Sequence, residues 1–158
     1  MTAPVSDAEV VLAKYAGALV FFVLMWLPTV VYALVLRRFS PLVAPMDFGP
    51  MLGGYLGATL VGALYIAIGL FCSALTKNQI VAAIICFALI NVAFISGFLA
   101  YVGRDETVRN LGAYVSSVEH MRDFARGVVD SRAVVFHLSG AVFMLFATVK
   151  VVESRKWK

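Results

Sequence analysis

The side chains equipped for acid–base, nucleophilic or metal chemistry are few and scattered along this chain. It holds two histidines and two cysteines. His120 and His137 stand without a partnered nucleophile or a second ligand at suitable spacing, so neither a catalytic triad nor a zinc set is built from them. Cys72 and Cys86 both fall within uncharged apolar runs and read as small buried hydrophobes. No Gly-x-x-x-x-Gly-Lys-Ser/Thr sequence or other phosphate-cradling loop is present, so any ATP would be hydrolysed by another polypeptide. The residues point away from an enzyme, and no cofactor or metal is expected.

The elements that hold these residues follow from composition. Of 158 residues, 62% are hydrophobic and 14% charged, which lies outside the range of soluble domains. The apolar residues gather into uncharged runs over 15–36, 51–75, 80–103 and 133–149. A helix needs about 20 residues to cross roughly 30 Å of hydrocarbon; the first three runs suffice, and the fourth reaches by snorkelling Lys150. The runs are continuous rather than alternating, which argues against a membrane β-barrel. The expected fold is therefore an all-α integral membrane domain over 1–158, with spans near 15–36, 53–75, 80–102 and 133–152. The first run is not expected to be a cleavable leader, because Asp7 and Glu9 precede it in place of a basic stretch. The net charge of +4 comes from basic residues at helix ends, where the lipid bilayer rather than nucleic acid is the counter-charge.

Four crossings put both termini on one side with the turn at 76–79. Lys14, Lys77, Arg155, Lys156 and Lys158 mark that side as cytoplasmic, against Arg37, Arg38 and five arginines in the connection 104–132. Pro28 predicts a kink in the first span. Thr76 and Gln79 fit a capping box that starts the third. In the second span Gly53, Gly54, Gly57, Ala58 and Gly62 form small faces at one-turn spacing, which lets another backbone approach closely. Asn91, mid-membrane in the third, is expected to find its hydrogen bonds on another helix.

The connection before the last span is too long for a plain loop. Within 115–128, Val118, Met121, Ala125 and Val128 recur at helical spacing beside Phe124. Glu119, His120, Arg122, Asp123 and Arg126 supply the polar side, with Glu119–Arg122 and Asp123–Arg126 spaced i,i+3. Such a helix is too short and too charged to cross; it is expected to lie on the membrane or dip into it from the extracytoplasmic side, with a solvated face favoured over substrate contact.

Three stretches taken together carry a family resemblance. The first is Gly54-Tyr-Leu-Gly57 leading to Ala67-Ile-Gly-Leu-Phe-Cys-Ser-Ala-Leu-Thr-Lys-Asn-Gln-Ile-Val-Ala-Ala83. The second is Glu119-His-Met-Arg-Asp-Phe-Ala-Arg-Gly-Val-Val-Asp130 followed by Val134-Val-Phe-His-Leu-Ser139, and the third is the ending Glu153-Ser-Arg-Lys-Trp-Lys158. These resemble the permease subunits of type-2 ATP-binding-cassette exporters, in particular the gliding-motility-type branch. The resemblance implies a transmembrane subunit of the plasma (inner) membrane with both termini cytoplasmic, a second permease subunit as homo- or heterodimer, and a separate ABC ATPase that uses the ATP. It also implies that 115–128 is a short outer, re-entrant element. The cytoplasmic coupling side would include Thr2, Pro4, Asp7 and Lys77. Such permeases usually have six helices, and the start 2–7 resembles a stretch that normally follows the second; by that alignment the first two are lacking. Ala133 stands where relatives often have an acid. A non-transporting helical membrane scaffold or assembly protein is the alternative reading.

Overall fold

The computed structural model describes residues 6–39, 47–102 and 105–155. These form six helices and no strand: α1 (Asp7–Phe39), α2 (Phe48–Leu75), α3 (Gln79–Val102), α4 (Glu106–Val115), α5 (Ser117–Ala125) and α6 (Ser131–Arg155). Helices α1, α2, α3 and α6 are long and apolar enough to cross a membrane. In hydrocarbon the chain has no water for its backbone groups, and a continuous helix satisfies them internally.

The helix starts show why the elements run longer than the apolar runs. Ser6 and Glu9 form a reciprocal cap, with Ser6 N–H donating to Glu9 Oε2 at 2.8 Å and Glu9 N–H donating to Ser6 Oγ at 3.3 Å. That box begins α1 at Asp7, eight residues before the first apolar run. Asp47 caps α2 by accepting from Gly49 N–H at 2.9 Å, so the helix already includes Gly49 and Pro50. Pro28 lies inside α1, which continues through it. The expected Thr76 cap of the third helix is corrected: Thr76 Oγ1 accepts from Asn78 N–H at 3.1 Å, and Asn78 Oδ1 accepts from Ile80 N–H at 2.9 Å. Asn78 is thus the residue immediately before α3, and the turn is short, as its sequence suggests.

α2 is the axis of the bundle, in contact with α1, α3, α5 and α6, most extensively with α6. Tyr15 Oη donates to Ala63 O at 3.2 Å, and Thr29 Oγ1 and Tyr55 Oη share a bond of 2.7 Å. Because the later residue of α1 meets the earlier residue of α2, these two helices run antiparallel. Leu64 lies against Gly140, and Leu64, Ile68 and Cys72 form a buried cluster joined by Ile85, Phe136 and Met144. Gly127, just before α6, lies against Gly49 and Pro50 at the start of α2, and Gly140 lies against Leu64 further along, so these two helices run parallel. The start of α1, the turn before α3 and the end of α6 therefore share one end of the bundle, with α4 and α5 at the other.

Which small residues of α2 are spent on packing is settled by their neighbours. A Cβ on Gly53 would collide with the backbone carbonyl of Phe124, one on Gly57 with the Phe124 side chain, and one on Gly62 with the Phe22 ring. At Gly54 a Cβ would meet nothing within 4 Å. Gly53→Ala is expected to cost about 1–3 kcal/mol by forcing α5 away from α2. Gly54→Ala is expected to be neutral or to stabilise by about 0.5–1 kcal/mol through helix propensity. Thermal unfolding of the two variants in the same detergent checks the contrast.

Candidate functional site

Residues 116–137 fold into a helical hairpin against the start of α2. Ser116 caps α5, its Oγ accepting from Glu119 N–H at 3.2 Å. At the other end Arg126 N–H donates to Arg122 O and Asp123 O, Gly127 N–H to Phe124 O at 3.0 Å and Val128 N–H to Asp123 O at 2.9 Å. Gly127 adopts φ +80°, a left-handed turn that suits glycine and reverses the chain toward α6. This helix is shorter than the 115–128 expected from periodicity, and α4 precedes it.

Phe124 anchors the hairpin. It is fully buried, its ring and carbonyl seated over Gly57 and Gly53 of α2. Ser116 and Ser117 are buried with it, and Ser116 closes onto Gly97 of α3. Ala125 and Val128 are exposed, so the apolar stripe drawn through Val118, Met121, Ala125 and Val128 is displaced toward Phe124 by contacts from two neighbouring helices. On the outer side Arg122 Nη1 pairs with Glu119 Oε1 at 2.9 Å. Among the described residues Asp123 and Arg126 form no ion pair with each other: Arg126 is the C-cap residue, already past the end of α5, where the i,i+3 register of the helix stops.

The hairpin brings together two side chains that the sequence keeps apart. His120 of α5 and His137 of α6 meet with ring centroids 5.3 Å apart at an interplanar angle of 71°. Phe136 stands edge-on to His120 at 5.6 Å and to Tyr114 of α4 at 5.8 Å. His137 is fully buried, with Nδ1 2.8 Å from Ala133 O. A carbonyl only accepts, so Nδ1 carries the proton. Ser117 Oγ, His120 Nδ1 and His137 Nε2 are all buried without a hydrogen-bond partner. Burial pushes the His120 pKa below the usual imidazole value and His137 adds to that, while Asp123, Asp130 and Glu119 pull the other way. Among the described residues no three His, Cys, Asp or Glu side chains gather as a metal site requires. The signal for this meeting was Gly127, a helix stop placed between the two histidines.

An open cleft of about 440 Å³ lies between α3 and α5, with Phe94, Ile95 and Phe98 on one wall and Val118, Glu119 and Arg122 on the other. Its walls are apolar and its rim carries the Glu119–Arg122 pair. The other sequence candidates lie elsewhere. Ala58 sits on α2, partly exposed, and Asn91 Nδ2 donates to Phe87 O of its own helix at 2.8 Å rather than to a second helix. Asp7 opens α1 and Lys77 stands exposed in the turn before α3, at the opposite end of the bundle from α5. Thr2 and Pro4 lie outside the described residues.

Phe124→Ala is expected to destabilise by about 3 kcal/mol, since a fully buried ring is removed from a close-packed site. The measurement is thermal unfolding in detergent, with Phe124→Leu losing less.

The family described as ABC-2 family transporter protein matches residues 1–122 of the 158. No curated protein and no solved structure matches the chain.

Proposed function

Since the chain belongs to the ABC-2 transporter family, whose members are membrane components of transport and normally work with an ATPase subunit, we propose that it is the permease subunit of an ABC exporter, of the gliding-motility-type branch. The match over residues 1–122 is the observation that carries this reading, since it includes α1, α2, α3 and the first part of the outer hairpin. The four apolar helices make it a multi-pass membrane protein, and the sequence has no phosphate-binding loop of its own.

In this reading the chain forms half of a translocation path in the inner membrane and pairs with a second permease subunit, as homo- or heterodimer. The end with Asp7, Lys14 and Lys77 faces the cytoplasm and the ATPase, and α4 and α5 lie on the extracytoplasmic side. ATP binding by the partner favours one arrangement of the helices, and substrate moves because its affinity differs between arrangements. Lys77 supports the assignment of that end: it is the one charged residue in the turn before α3, and it stands exposed there.

Two measurements test the proposal. An ATPase encoded beside this chain is expected to co-purify with it in mild detergent, and Lys77→Glu is expected to weaken that association severalfold through charge reversal at a contact. Vesicles holding the chain with its ATPase are expected to show ATP-dependent efflux. A scaffold or assembly protein would retain the partner and move nothing.

A further inference from the structure

The contact between α5 and α6 is where ionisable side chains enter the buried layer of the fold. His137 has its Nδ1 proton committed to Ala133 O, so its neutral ring presents a lone pair at Nε2, and that atom is buried without a partner. His120 presents a second buried, unpartnered nitrogen, Nδ1, from a ring 5.3 Å away, and Phe136 walls both rings edge-on. Two imidazoles enclosed this way tolerate a charge poorly, because a proton on either would lose its hydration and face the other ring.

We propose that His120 and His137 form an acid-released latch between α5 and α6, closed while both rings are neutral and opened when His120 takes a proton. The surroundings of His120 decide the sign. From α6 it is faced by His137, from the connection by Asp130, and from its own helix by Glu119 and Asp123, with Glu119 engaged by Arg122. From α4 comes the uncharged ring of Tyr114, through Phe136. Helices α2 and α3, which also pack on α5, carry no Asp, Glu, Lys, Arg or His. The three carboxylates oppose the effect, but burial outweighs them, and the folded-state pKa of His120 lies below the unfolded one of about 6.5. The closed contact is therefore fully present above that unfolded value and is lost as pH falls through the folded one. The inference rests on contacts within one chain and stands apart from the transport reading.

The chain has two histidines, so nitrogen-15 labelling of histidine gives two ring systems and no overlap. In lipid nanodiscs, the amides of α5 are expected to exchange severalfold faster at about pH 5.5 than at about pH 7.5, after correction for intrinsic exchange, as the His120 ring signal titrates. His137 is expected to keep its Nδ1–H tautomer at the higher pH. With His120→Phe, which keeps a ring and removes the charge, protection of α5 is expected to be equal at both. His120→Asn serves as a second uncharged variant should the larger ring disturb packing. Equal protection of α5 at the two pH values in the unsubstituted chain would overturn the latch. So would a pH dependence that survives in both variants.

Discussion

How closely backbones approach α2 decides the rest of the structure. In hydrocarbon the hydrophobic effect gives helices no reason to prefer one another to lipid, so association relies on dispersion contacts that require short distances. Glycine supplies those distances. Gly53 and Gly57 admit Phe124, and Gly62 admits Phe22; across the α6 contact Gly140 admits Leu64. At Gly57, Gly62 and Gly140 an absent side chain on one helix faces a large one on its neighbour, and at Gly53 it makes room for the Phe124 carbonyl. The contacts fix where α1, α5 and α6 sit along α2, and the buried cluster of Leu64, Ile68 and Cys72 fills what remains. Polar bonds add direction: Tyr15 to Ala63 and Thr29 to Tyr55 hold α1 antiparallel without placing a charge in the bundle.

The four crossings could be read directly, because twenty uncharged residues leave the backbone one way to satisfy itself in lipid. The small-residue character of α2 was also visible. What composition does not carry is the direction from which a neighbour arrives, so Gly54 and Gly57 look alike in sequence and differ completely in space. Asn91 illustrates the same point: its polarity was plain, but an i−4 carbonyl on its own helix was within reach and satisfied the amide.

The polar connection was harder. Its helices are short, and propensity over nine or ten residues says little. Caps carried more information than periodicity there. Ser116 with Glu119 and the left-handed Gly127 bracket α5 closely, as Ser6 with Glu9 starts α1 ahead of its apolar run. The reading built on apolar spacing reached past Gly127 to Val128, which is exposed. The histidine pair escaped for a different reason. It belongs to two elements, and only the reversal at Gly127 brings them face to face.

That reversal gives α5 two unlike attachments. On α2 it is held by shape, with Phe124 lodged where two glycines leave room; on α6 it is held through rings at His120, His137 and Phe136. α2 and α6 are parallel neighbours, so a displacement of one along the other cannot leave both attachments of α5 intact. Close-packed contacts of this kind switch between discrete arrangements rather than deform smoothly. The attachment to α2 is close-packed, whereas the attachment to α6 holds two buried ring nitrogens without a hydrogen-bond partner. A helix too short to cross a membrane is thereby tied, by two different kinds of contact, to two helices that are long enough to do so.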